Sequence, residues 1–132
     1  MPDVNKLMEN PKRVIWRDRR RTVFGLPWTT TRYSLTAEKF ILERGFFRHH
    51  LDEVRLYRVK DISLDRNLRE RVMGLGTVSV VSSDKSAPQF EIARIRNSRA
   101  FTELLSDLVE ENCRRVYARE LLERRRDGQE YM

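Results

Sequence analysis

The densest concentration of chemistry in this chain is Arg17, Arg19, Arg20 and Arg21, four guanidiniums within five positions interrupted only by Asp18. Guanidinium forks pair bidentately with carboxylate and phosphate, so the cluster is the leading candidate for binding an anion. It would grip phosphate without reading a base sequence, because phosphate contacts position a nucleic acid and do not specify it. Trp16 and Trp28 flank the run, where an aromatic ring could stack on a base or sit at a lipid headgroup. Packing at the edge of a core is the competing role for both rings.

Other reactive types lack the company that catalysis needs. His49 and His50 are the only histidines. Neighbours in an extended strand point to opposite faces, and no cysteine lies near to complete a ligand set, so no metal site is expected. Cys113 falls within a helical pattern and reads as a small packed hydrophobe rather than a nucleophile. Gly74-Leu75-Gly76 lacks the remainder of any phosphate-loop fingerprint, and no serine stands in a nucleophile-elbow pattern. No enzyme and no cofactor are expected.

The elements that position these residues follow from pattern. Residues 1–11 read as a loose leader ending at Pro11. From Trp28 the chain turns strand-like, with Thr29, Thr31, Tyr33 and Leu35 alternating with Thr30, Arg32 and Ser34. Thr36-Ala37-Glu38 predicts a tight turn into a strand from Lys39 to Arg44, which Gly45 ends. A long strand is expected from Val54 to Asp65, bent because its alternation changes phase twice. A helical turn over 67–73, strands at Thr77–Val81 and Gln89–Ile95, and a turn between them complete the β region.

Beyond Asn97 one helix is expected. Asn97 or Ser98 can cap it, Phe101, Leu104, Leu105, Leu108 and Val109 form its apolar stripe, and Gly128 offers a stop. Glu110–Arg114, Glu111–Arg115 and Glu120–Arg124 are acid-before-base pairs four residues apart. The architecture implied is β-dominated α+β, a barrel of antiparallel strands capped by a long C-terminal α-helix. Past about Cys113 the helix exceeds what capping requires, and Val116, Tyr117, Leu121 and Leu122 become candidates for self-association.

Composition bounds the partners. Hydrophobic residues make up 39% of the chain and charged residues 36%, enough apolar content for one modest core. Of 27 basic residues five are lysine, leaving 22 arginines, and the net charge is +7. That balance favours an anionic partner without choosing among nucleic acid, acidic lipid and acidic protein. No apolar run approaches a membrane span, no signal peptide is evident, and the single cysteine fits a reducing compartment, so a cytoplasmic location is expected.

Three stretches resemble the bacterial PH domain family. Tyr33 to Gly45, reading YSLTAEKFILERG, is similar to the family's opening hairpin; Val54 to Asp65 is similar to its segment of spaced apolar residues; and Met73 to Val80, MGLGTVSV, to its GLGTV followed by a strand. The resemblance implies a PH-like fold of two nearly orthogonal antiparallel sheets closed by a C-terminal helix. It places a PH-like domain at 12–112 and leaves 113–132 as a helical extension. It also implies a non-catalytic module mediating protein interaction or self-association. The alternative is an anion-binding module for nucleic acid or an acidic membrane surface, acting through Arg17, Arg19, Arg20 and Arg21. Around the hairpin used for phosphoinositides by eukaryotic PH domains, this chain offers Arg32 and Lys39 but turns through Glu38.

Overall fold

The computed structural model describes residues 4–21, 30–45, 49–85 and 87–130. Trp28 lies outside them. In chain order the elements are α1 (Val4–Met8), β1 (Val14–Arg19), β2 (Arg32–Thr36), β3 (Lys39–Arg44), β4 (His50–Arg55), β5 (Val59–Asp65), α2 (Leu68–Met73), β6 (Leu75–Ser82), β7 (Gln89–Arg96) and α3 (Ser98–Glu130). The strands form two antiparallel sheets, β1-β2-β3-β4 and β5-β6-β7. The expected α+β architecture with a long capping helix is therefore present, but among the described residues the strands do not close into one hydrogen-bonded barrel.

The turns are built by short polar side chains. Thr36 Oγ1 accepts from the backbone N–H groups of Glu38 and Lys39, which fixes the expected β2–β3 turn. Asn67 caps α2 by accepting from Glu70 N–H at 2.7 Å, and Gly74 ends it in the left-handed region at φ 71°.

Three local expectations need correction. The strand foreseen from Val54 to Asp65 is two strands in different sheets, β4 and β5, separated by a 3-10 turn at Leu56–Arg58. Loss of alternation marked the change of sheet: Val54, Leu56 and Val59 are all buried, which no single extended strand allows. Within the leader, Val4–Met8 is helical and Met8 is buried in the core. Val4, Leu7 and Met8 carry the i, i+3, i+4 spacing of an apolar helix face. Gly128 does not stop α3, which continues to Glu130.

The core lies between the sheets and under the first half of α3. Phe40 of β3 stacks on Phe90 of β7 with centroids 5.5 Å apart, and Trp16 meets Phe101 at 4.1 Å. Phe101, Leu105 and Leu108 of the foreseen stripe are fully buried, while Leu104 and Val109 pack at its margin. The buried Asn112 amide closes this stretch by donating to the carbonyls of Ala37 at 2.8 Å and Leu108 at 2.7 Å. It ties the β2–β3 turn to the helix.

Gly76 sets where α3 begins. A Cβ on residue 76 would lie 2.2 Å from Ser98 Oγ and 2.7 Å from Ser98 Cβ. Only a residue without a side chain lets β6 and the helix start approach this closely. Gly76→Ala is expected to cost about 1–3 kcal/mol through forced displacement of the helix start. Urea unfolding followed by circular dichroism measures it, and an unchanged midpoint would refute the contact.

Candidate functional site

β1 is an edge strand, so alternation splits the arginine cluster between its two faces. Arg17 and Arg19 are exposed on the outer face, whereas Asp18 turns inward. Arg21 donates to both Asp18 oxygens, at 3.0 and 2.9 Å, in a pair whose side chains are only 11% and 13% exposed. The same carboxylate accepts from the backbone N–H groups of Arg19 and Arg96. Arg21 is therefore occupied within the fold. Arg20 is half-buried and its backbone N–H donates to Thr31, so the four guanidiniums do not form one solvent-facing cluster.

The strand register brings in a different arginine. Arg19 stands directly opposite Arg32 of β2, and Arg17 opposite Ser34. Arg32 in turn faces Glu43 of β3. These residues border a groove of about 500 Å³ whose lining also includes Arg21. Among the described residues, Arg17, Arg19 and Arg32 take part in no ion pair, while the Glu43 carboxylate lies 3.9 Å from His49. Like charges directly across a ladder repel, and the Arg19 and Arg32 side chains stand opposite each other and exposed. Nothing in the sequence groups Arg32 with this cluster, because only the β1–β2 register joins them.

The corner between the sheets is held by a bulge. Between Gly76 and Val78 the β6–β7 register shifts by one extra residue on β7, and Arg94 takes φ 51°. The bulge aims Ala93 N–H at the Tyr33 hydroxyl oxygen, 3.1 Å away in the other sheet. Arg94 Nε donates to the Arg21 carbonyl across the same corner. Burial raises the Tyr33 pKa above its ordinary 10.0, against smaller lowering effects from the Ala93 N–H and nearby arginines.

The remaining candidates separate. His49 and His50 go to different carboxylates, Glu43 and Asp52. Cys113 is exposed rather than packed, its Sγ 3.6 Å from the Tyr57 carbonyl oxygen, because it lies just past the last buried turn of α3. Beyond Asn112 the helix leaves the body. Tyr117, Leu121 and Leu122 are 63%, 43% and 64% exposed, and Val116 is half-buried. These four do not share one face. At about 100° per residue, Tyr117 and Leu121 lie together, whereas Val116 and Leu122 fall on opposite sides of them. Arg114 and Arg115 pair with Glu110 and Glu111 near the exit from the body.

Two tests follow from this geometry. Asp18→Ala would leave Arg21 and two backbone N–H groups without their acceptor, at a cost of about 2–4 kcal/mol in urea unfolding. An effect no larger than that of an exposed substitution would show that the corner does not depend on Asp18. Tyr33 supplies the second. Its folded pKa is raised, so the unfolded chain loses the phenolic proton first as pH climbs past 10.0. Stability should fall from there until the folded group also ionises. Tyr33→Phe should remove this component from an alkaline stability profile, and an identical slope in both proteins would contradict it.

Comparison with known proteins covers most of this body. No helix among the described residues is long and apolar enough to cross a membrane. No curated protein and no solved structure matches the chain. The family model described as bacterial PH domain matches residues 23–109, a span running from ahead of β2 into the buried half of α3. With two antiparallel sheets and a C-terminal helix across that span, the chain belongs to the bacterial PH domain family.

Proposed function

We propose that this chain is a non-catalytic PH module that assembles with a second copy of itself through the projecting half of α3. The observation that carries the reading is the helix from Cys113 to Glu130, eighteen residues that extend about 27 Å beyond the last buried position. That stretch lies outside the matched family span, and past Val116 its described side chains are all exposed. Exposed Tyr117 and Leu121 gain by burial against a partner.

A second reading rests on the outer face of β1 and β2. Arg17, Arg19 and Arg32 without carboxylate partners among the described residues, beside a groove of about 500 Å³, support binding of an acidic surface or nucleic acid. Such binding would weaken steeply as salt competes for the guanidiniums.

Light scattering after gel filtration, at low and high salt, separates the two. The assembly reading expects a species larger than one 15.9 kDa chain at both salts. It also expects Tyr117→Glu with Leu121→Glu to give a folded monomer that keeps its circular dichroism, since both side chains are exposed on the single chain. A monomer that carries nucleic acid absorbance at low salt and sheds it at high salt would favour the arginine face instead.

A further inference from the structure

We infer that two copies pair through the projecting half of α3 in parallel, with both bodies at the same end. This rests on the assembly reading above and adds its orientation. α3 is continuous from Ser98 to Glu130, so positions along it advance by about 100° per residue. Past Asn112 that advance sorts the charges lengthwise. Glu120, Glu123 and Asp127 fall within an arc of about 60°, and Arg114, Arg115, Arg119, Arg125 and Arg126 within another of about 140°. Cys113, Tyr117 and Leu121 occupy the strip between them, shared with Arg124 and Gly128.

Arg115–Arg119 and Glu123–Asp127 are like-charge pairs four residues apart within the two flanks, offset only in part along the helix itself by the opposite-charge pairs Arg119–Glu123 and Glu120–Arg124. A partner presenting opposite charge to each flank offsets that repulsion. A second copy does so in one direction only. Two parallel helices related by a twofold axis along their length set the acidic flank of each against the basic flank of the other. Antiparallel helices set acid against acid and base against base. With Tyr117 and Leu121 in the seam, Glu120 of one copy meets Arg125 of the next, the five-residue offset of flanking pairs in parallel coiled coils.

The body permits this geometry. Phe101, Leu105, Leu108 and Asn112 face it, on the side of α3 about 170° from the seam. Along the seam's own side, Arg99, Glu103, Ser106 and Glu110 are exposed throughout the buried half. Arg99, Glu103 and Glu110 would each meet their own copies there, against Arg124 alone in the strip along the extension, which favours close pairing along the extension.

The experiment is charge exchange combined with cross-linking, on the full chain. Sedimentation at low salt should show the dimer dissociation constant rising roughly five- to tenfold in Glu120→Arg and in Arg125→Glu. The double variant should return it toward the original value. In a Cys113→Ser background, Gly128→Cys should form an intermolecular disulfide on oxidation, since nothing lies within 4 Å of a Cβ at that position. A dimer in which the thiol introduced by Gly128→Cys stays uncross-linked, or one that is not restored in the double variant, would overturn the parallel pairing and leave the assembly reading standing. A chain that remains monomeric at high concentration would overturn both.

Discussion

Two sheets that share no ladder among the described residues are held together here by hydrogen bonds at and beside a β-bulge. The extra residue in β7 turns the Ala93 N–H toward Tyr33 and places Arg94 against the Arg21 carbonyl, while Arg96 N–H reaches Asp18. Each bond joins β7 to β1, β2 or the segment just after β1. The positive φ at Arg94 costs about 1 kcal/mol, which these bonds offset. With that corner fixed, Phe40 and Phe90 stack between the sheets and the floor on which α3 lies becomes a single surface. Arg94 is taken up by one of these bonds and the Arg21 guanidinium by Asp18, so what remains for solvent is decided by the corner and not by the count of arginines.

The second fixed point is the contact of Gly76 with Ser98, and the third is Asn112 on the Ala37 carbonyl. Between them the helix is clamped at both ends of its buried half. The glycine-flanked strand that carries part of the family resemblance therefore has two separate tasks. Gly74 ends α2 in a left-handed conformation, and Gly76 admits the helix. The side chain between them, Leu75, is buried.

Local signals were legible in the sequence and nonlocal ones were not. The turn at Thr36-Ala37-Glu38, the short helix over 67–73, the strand starting near Gly76 and the long last helix all rest on neighbours within four residues. The division of Val54–Asp65 between two sheets showed only as lost alternation, which a bulge would also produce. The short helix near the N-terminus had its apolar spacing at Val4, Leu7 and Met8, but its stability comes from packing on the core. The arginine cluster was visible as four residues. Its partition depended on Asp18 meeting Arg96, 78 positions away, and on a register that sets Arg19 across from Arg32. The four apolar candidates on the extension were visible by residue type, but helical phase divides them.

Between Asn112 and Asp127 the helix contains neither glycine nor proline, so it transmits rotation faithfully from the clamped half to the tip. An insertion or deletion of one residue just past Cys113 would swing every charge beyond it by about 100° relative to the body. A change of seven would restore the phase almost completely, about 20° short. Under the proposed parallel pairing, changes of length in heptad steps keep seam and flanks in register, while single-residue steps turn them away from the partner.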